Sequence, residues 1–166
     1  MREQAKAIET VDESLQELAD EMLEIMHGAD GIGLAAQQIG ETRAICLVDV
    51  PPDHDVDEAG NRLNPDLEMP LVLLNPVLSD PSESSDTYQE GCLSFPGVQG
   101  QVVRPDEISV VWKGMDGEEH SARVRGLVGR CIQHEVDHLN GVLFIDHMSH
   151  VKRVALRGKL KRLKNR

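Results

Sequence analysis

Aromatic residues are scarce: Tyr88, Phe95, Trp112 and Phe144 are the only four in a chain of 166. So few rings cannot build a stacking platform for single-stranded nucleic acid. Cysteine is scarce too. Three thiols, Cys46, Cys92 and Cys131, cannot all pair, and a chain this long does not need disulfides for stability, which points to a reducing compartment. Uninterrupted apolar runs reach only about four or five residues, far short of a bilayer span. The N-terminus, MREQAKAIETVDESLQ, is charged from its second residue and has none of the apolar core of a secretory signal. A soluble cytoplasmic protein with no membrane partner is the expectation.

Positive charge is also in short supply, with 17 Lys and Arg against 29 Asp and Glu and a net charge of −12. The imbalance is uneven: eight of the basic side chains fall in residues 151–166, which contain no carboxylate side chain. An acidic body repels phosphates, so DNA is excluded as a partner and any polyanion contact is confined to the basic end. The length fits a single domain, 1–166, built around one core.

Along the chain, Thr10-Val11-Asp12-Glu13 reads as a capping box, and Leu15, Leu18, Ala19, Met22, Leu23, Ile25 and Met26 follow at helical spacing until Gly28. Gly31 to Ala36 reads as a tight loop of small residues, and Arg43 to Val50 (RAICLVDV) as a strand. Residues 51–69, acidic and turn-rich, read as an exposed excursion. Leu71 to Leu78 is a further strand, and Asp80 to Asp86 a Ser and Asp loop that leads to Gln89-Glu90-Gly91-Cys92. Ile108 to Lys113 and Glu119 to Val124 flank Asp116-Gly117, the signature of an antiparallel hairpin. Leu127 to Leu139 fits a buried helix closed by Gly141, and Val151 to Lys164 a basic terminal helix covering the sheet with Val151, Val154, Leu160 and Leu163. Strands without regular helical crossovers predict an α+β fold: antiparallel β-sheets packed around a central metal-binding helix, with a C-terminal helix.

The chemistry begins with His134-Glu135-Val136-Asp137-His138. Two histidines four apart on a helix share one face and can grip one ion, and the neighbouring Glu is placed to take a proton from the ion's water. A metzincin would continue to a third histidine, but that position is Phe144. A thermolysin-like site needs a downstream glutamate, yet the only carboxylate side chain after His138 is Asp146. Cys131 lies on nearly the same face, but seven residues of helix span about 10 Å, too far for one ion to meet Cys131, His134 and His138 together. Cys131 and Cys46 therefore read as core thiols. Cys92, beside the unhindered Gly91, remains as third ligand, and a Cys-His-His set keeps a fourth tetrahedral position open for water.

Three segments together resemble the peptide deformylase family: Gly31-Ile32-Gly33-Leu34-Ala35-Ala36-Gln37-Gln38, Glu90-Gly91-Cys92-Leu93-Ser94 and Gln133-His134-Glu135-Val136-Asp137-His138-Leu139. The similarity runs from about Arg2 to the basic tail. It implies that Cys92, His134 and His138 hold the metal, and that Glu135 is the acid-base residue. Gln38 and the backbone N–H of Leu93 would face the substrate carbonyl oxygen. The resemblance further implies one divalent ion, natively Fe2+, with Zn2+, Ni2+ or Co2+ as substitutes. The substrates would be N-formylmethionyl nascent peptides. Water activated by the ion would attack the formyl carbon and release formate, with Glu135 passing the proton to the leaving amine. Ile32, Gly33, Tyr88, Leu127 and Cys131 are the candidate walls of a pocket for the methionine side chain, and Glu90 is a further candidate substrate-binding residue. Relatives with a basic tail imply a ribosome contact through residues 151–166.

Against the family pattern, this sequence starts just after a leading I-L-x-x-P-D-P-x-L-R-like segment and has Gln99 where relatives often carry Arg, while Arg104 stands where they usually have one. Three rival readings fit less well. A dinucleotide fingerprint at Gly31-x-Gly33-x-x-Ala36 needs a strand before it, and here a helix precedes it. An endopeptidase would cleave internal bonds of unblocked peptides. A structural metal module would saturate its ion with four protein ligands and gain nothing from Glu135.

Overall fold

Asp12 opens the first helix, α1 (Glu13–Gly28), by accepting the Leu15 N–H at 3.0 Å, which satisfies one of the donors the first turn leaves orphaned. This cap lies two residues beyond the predicted Thr10. Asp is the stronger cap of the two, and the Ser14 hydroxyl donates to the same carboxylate at 2.8 Å. The computed structural model describes residues 2–164, without the side chains of residue 157 and of residues 159–164.

Seven strands follow: β1 (Gly33–Ala35), β2 (Ile45–Val48), β3 (Leu71–Ser79), β4 (Ser85–Gly91), β5 (Gln99–Pro105), β6 (Glu107–Lys113) and β7 (Glu119–Arg125). Five of them form an antiparallel sheet in the order β1-β2-β3-β6-β7, and β4 and β5 pair separately. In β2 the two-residue period sorts side chains to opposite faces. Ile45 and Leu47 pack with Leu15, Leu18, Met22 and Met26 of α1, whereas Cys46 and Val48 face the second helix, α2 (Gly126–Leu139). A strand covered on both sides is apolar throughout, which is why RAICLVDV is so legible. The expected hairpin is β6–β7, with Gly117 at φ +83° in its turn, a conformation that side-chain-bearing residues avoid.

α2 lies at the centre. Every residue from Val128 to Val136 is buried, since the large sheet takes one face of the helix and β4–β5 the other. Polar residues on such a helix must find partners inside the protein. Phe144, in a short 3-10 helix (Phe144–Asp146), joins Val98, Val102 and Met148 in a smaller cluster beneath β5 and stacks on the His134 ring at 6.0 Å. The architecture is the α+β arrangement predicted.

Three local expectations change, and a fourth gains a detail. The loop predicted over Gly31 to Ala36 contains β1, whose Leu34 pairs with Leu47. The sheet β4–β5 was not expected, because β4 is mostly exposed and polar and the inward positions of β5 are Gly100, Val102 and Arg104. No apolar alternation marks either strand. Residues 51–69 are largely exposed, as expected, but are anchored at two points, Asp55 and Asn64, only 1% and 4% exposed. Asp55 accepts from Arg62 Nε at 3.0 Å and from the Asn64 N–H at 3.2 Å. The Asn64 amide then donates to the Arg125 carbonyl and accepts the Arg125 N–H, both at 3.1 Å. The excursion thus clamps the residue from which α2 starts. Finally, in α3 (His150–Lys164), Val151 and Val154 are exposed, not laid on the sheet; Leu156 instead packs against the Phe144 cluster. Leu160 and Leu163, given the same role, lie outside the described side chains. No helix among the described residues is long and apolar enough to cross a membrane.

Candidate metal centre and active site

α2 presents His134, Glu135 and His138 to the interior, and the chain leaving β4 brings Cys92 up to them. The candidate ligand atoms of Cys92, His134 and His138 all lie within 4.8 Å of one another, and Cys92 Sγ is 3.2 Å from His138 Nε2. Glu90 Oε2 lies 3.0 Å from His134 Nδ1, which leaves that ring's Nε2 for the common centre. One thiolate and two imidazoles converging in this way fit a divalent cation of the zinc or iron type.

Burial shapes the protonation of each group. It lowers the pKa of His138, with help from the charge of His134, to about 3, so this ring is neutral with a lone pair to give. In His134 burial acts the same way but is outweighed by hydrogen bonds to Cys92 and Glu90 and by the charge of Glu135, which push the pKa up to about 10. A bound cation competes with that proton. Glu135 is 4% exposed, and burial lifts its pKa to about 7 against the opposing charges of His134 and Arg104. A carboxyl group with that pKa can both take and return a proton near neutrality. Its Oε2 has no hydrogen-bond partner among the described residues.

Gly33 makes room for this carboxylate. A Cβ there would stand 2.4 Å from Glu135 Oε1 and 2.6 Å from Cys131 Sγ. Gln38, on the short 3-10 helix after β1, is aimed by its own carbonyl, which accepts the Ala35 N–H at 2.7 Å. Its amide nitrogen reaches Ser94 Oγ at 3.3 Å and Cys92 Sγ at 3.4 Å, beside the ligand cluster. Leu93 follows Cys92 at the rim. Every site residue named from the sequence except His138 lines one cavity of about 490 Å³; His138 closes the ligand cluster from behind.

Glu90 lines the cavity, yet both of its oxygens are taken from within the protein. Oε1 accepts from Arg104 Nε at 2.7 Å and Arg130 Nη1 at 2.8 Å; Oε2 accepts from Arg104 Nη2 at 3.0 Å besides meeting His134. Burial would raise its pKa, but His134 and Arg104 hold it well below the usual carboxylate range. Arg104 also donates to Asp137 at 2.8 Å, and Asp137 meets His147 at 2.8 Å. Sequence reasoning missed Arg130 and this network. The available signal was an arginine inside the apolar stretch LVGRCI, where a buried guanidinium requires a buried carboxylate.

A carboxyl group that titrates near pH 7 beside a soft-donor cation site is the equipment of a metal-dependent hydrolase. Comparison with known proteins makes the class specific. The Polypeptide deformylase family profile matches residues 1–154. The chain is 41% identical over 165 residues to a peptide deformylase of Novosphingobium aromaticivorans, covering 95% of this chain and 88% of that one. It is 45% identical over 168 residues to that of Opitutus terrae, covering 98% and 87%. Among solved structures, peptide deformylase from Ehrlichia chaffeensis superimposes with a TM-score of 0.85 at 36% identity, covering 99% of this chain and 90% of that one. Arabidopsis thaliana peptide deformylase 1B gives the same score and identity, with 99% and 84% covered. This chain belongs to the peptide deformylase family, metal-using hydrolases that remove formyl groups from nascent peptides.

Proposed function

We propose that this enzyme deformylates the N-terminal formylmethionine of new polypeptides in the cytoplasm, with Cys92, His134 and His138 as metal ligands and Glu135 as general base and acid. The convergence of those three ligand atoms within 4.8 Å, beside the buried Glu135, carries the reading. A divalent cation held there supplies Lewis acidity and lowers the pKa of water. Glu135, near pH 7 half protonated, takes the proton of the attacking water and returns it to the leaving amine. Gln38 Nε2 and the Leu93 N–H receive the carbonyl oxygen as its charge grows; one such donor is typically worth about 3 kcal/mol of activation free energy. Gly33 keeps the space in front of Glu135 free of side-chain atoms, so the acyl carbon can approach closely. A hydrogen on that carbon fits there and a methyl group does not, which favours formyl over acetyl. Ile32, Gly33, Leu127 and Cys131 line the room for the methionine side chain, and Glu90 acts through His134.

The native ion in this reading is Fe2+, with Zn2+, Ni2+ or Co2+ able to replace it, a choice the mixed sulfur and nitrogen donors support. The basic helix α3, with Val151 78% exposed, is the proposed ribosome contact. Truncation after residue 154 should then weaken salt-sensitive ribosome association. The central experiment compares formate release from formyl-Met and acetyl-Met peptides by the wild type and Glu135→Gln, with metal content measured in both. The proposal requires release from the formyl peptide alone, and a loss of about 10²- to 10⁴-fold in the variant with metal retained. A variant as active as the wild type would refute the role of Glu135.

A further inference from the structure

Among the described residues, three buried side-chain polar atoms have no hydrogen-bond partner: Glu135 Oε2, His138 Nδ1 and Gln37 Oε1. The first belongs to the carboxyl group that lines the cavity. The other two have no such role, and buried polar groups in folded proteins are satisfied by protein or by ordered water. One is a donor and the other an acceptor. His138 turns Nε2 toward Cys92 Sγ at 3.2 Å, so when that nitrogen holds an ion the ring's proton sits on Nδ1. Gln37, 8% exposed, donates through Nε2 to the Leu139 carbonyl at 3.3 Å. That carbonyl ends α2 and also takes the Ala5 N–H at 2.7 Å. Because it can only accept, the Gln37 amide is oriented with its nitrogen toward it and Oε1 turned away.

Both atoms belong to the same corner of the fold. Gln37 and Gln38 are neighbours on the 3-10 helix Ala36–Ile39, which packs against α2. They straddle His138. Gln38 Nε2 reaches Cys92 Sγ, which the His138 ring also touches, while Gln37 Nε2 reaches the carbonyl of the residue that follows His138. A metal-bound imidazole almost always passes its second N–H to an acceptor, and Glu90 is placed to serve His134 in this way. We propose that Gln37 serves His138: one buried water molecule accepts from His138 Nδ1–H and donates to Gln37 Oε1. Gln37 is then a positioning residue that fixes the tautomer and the orientation of the ring. The inference rests on the ligand set proposed above and extends it.

The test uses the full chain, isotopically labelled for NMR and loaded with zinc, which leaves imidazole N–H signals visible. In the wild type, the Nδ1–H protons of His134 and His138 should both be protected from exchange. The His138 proton should also show contact with a bound water that reaches the Gln37 side-chain amide. In Gln37→Leu, which keeps the bulk and removes the acceptor, the His138 proton should lose its protection while that of His134 keeps it. Zinc affinity, read by competition with a chelating dye, should fall about tenfold, the lower end of what an outer partner of a ligand contributes. An unchanged His138 signal in folded Gln37→Leu would overturn the bridge, even if zinc affinity fell. So would a wild-type His138 proton with no contact to bound water, a measurement that stands if the variant does not fold. If zinc shifts neither ring in the wild type, the ligand assignment itself fails. If it shifts both and Gln37→Leu changes nothing, only the role of Gln37 does.

Discussion

Replacing Gly33 with alanine adds one methyl group at the most crowded point of the site. That Cβ would stand 2.4 Å from Glu135 Oε1 and 2.6 Å from Cys131 Sγ, whereas ordinary contacts to oxygen and sulfur begin about 1 Å further out. The backbone accepts alanine, because Gly33 does not have positive φ. The strain therefore falls on the side chains. Cys131 cannot retreat easily, since its thiol donates to the Ile32 carbonyl at 3.3 Å and it is buried in the core cluster. Glu135 must give way by about 1 Å, and a displacement of that size at a reacting group costs about 10²-fold in rate, or about 2.7 kcal/mol of activation free energy. The expected result is a fall of that order in kcat/KM for formate release. Metal content should be unchanged, because no atom of Cys92, His134 or His138 is among the nearest neighbours of the new methyl. Overpacking should cost about 1–3 kcal/mol in a urea titration. Gly28→Ala, with nothing within 4 Å of its added Cβ, is the control and should match the wild type. If Gly33→Ala kept wild-type kcat/KM while remaining folded, the positioning of Glu135 against β1 would have no bearing on catalysis.

Glu90→Gln should lower metal affinity about 10- to 100-fold, read by competition with a chelating dye, since the amide cannot accept from both arginines and still meet His134 Nδ1. Alkylation with iodoacetamide at pH 8 should modify one thiol in the folded metal-free protein and three after denaturation. Burial pushes the Cys46 and Cys131 thiols well above 9, while Cys92 is partly exposed; metal should protect Cys92. Equal reactivity of all three thiols in the folded state would contradict the burial. Acid should destabilise the fold in a predictable direction. Glu41 is held below 4.5 by its hydrogen bond from Arg43; Asp146, which burial would raise, is held below 3.8 by Arg2. The unfolded chain therefore takes up these protons first, so the stabilisation is complete above about pH 4.5 and drains away as pH falls through the lowered values. A urea midpoint that stayed flat from pH 6 to pH 3 would refute it.

What could be read from the sequence was whatever depends on local spacing. The two histidines and Glu135 occupy one helix, so a five-residue pattern determines their relative placement. β2 is legible for a similar reason, its two apolar faces being written in consecutive residues. The proposed third ligand was harder. Cys92 lies 42 positions before His134, and only helix geometry, which disqualifies Cys131, combined with family likeness, singled it out. Three features escaped because their signal is not apolar. β4 is mostly exposed; β5 turns Arg104 inward; residues 51–69 bury Asp55 and Asn64. In each case hydrogen bonding replaces hydrophobic burial, and a pattern of apolar residues has nothing to register. The outward Val151 and Val154 of α3 show the converse: apolar spacing on a helix does not say which surface, if any, it meets.

The buried charges explain how a polar centre can persist inside the core. Glu90 alone in that position would be neutralised by burial, and a neutral carboxyl group would hold His134 less firmly. Arg104 and Arg130 keep it ionised, and Asp137 in turn balances Arg104. Each charge is tolerable only because the next is present, so removing a single member exposes the others to the full penalty of desolvation. That interdependence links β4, β5 and α2 through side chains that lie behind the proposed metal ligands. It also means that the ring of His134 is aimed by groups on three separate elements, which is why the constellation can be stiff although Cys92 itself sits on a loop.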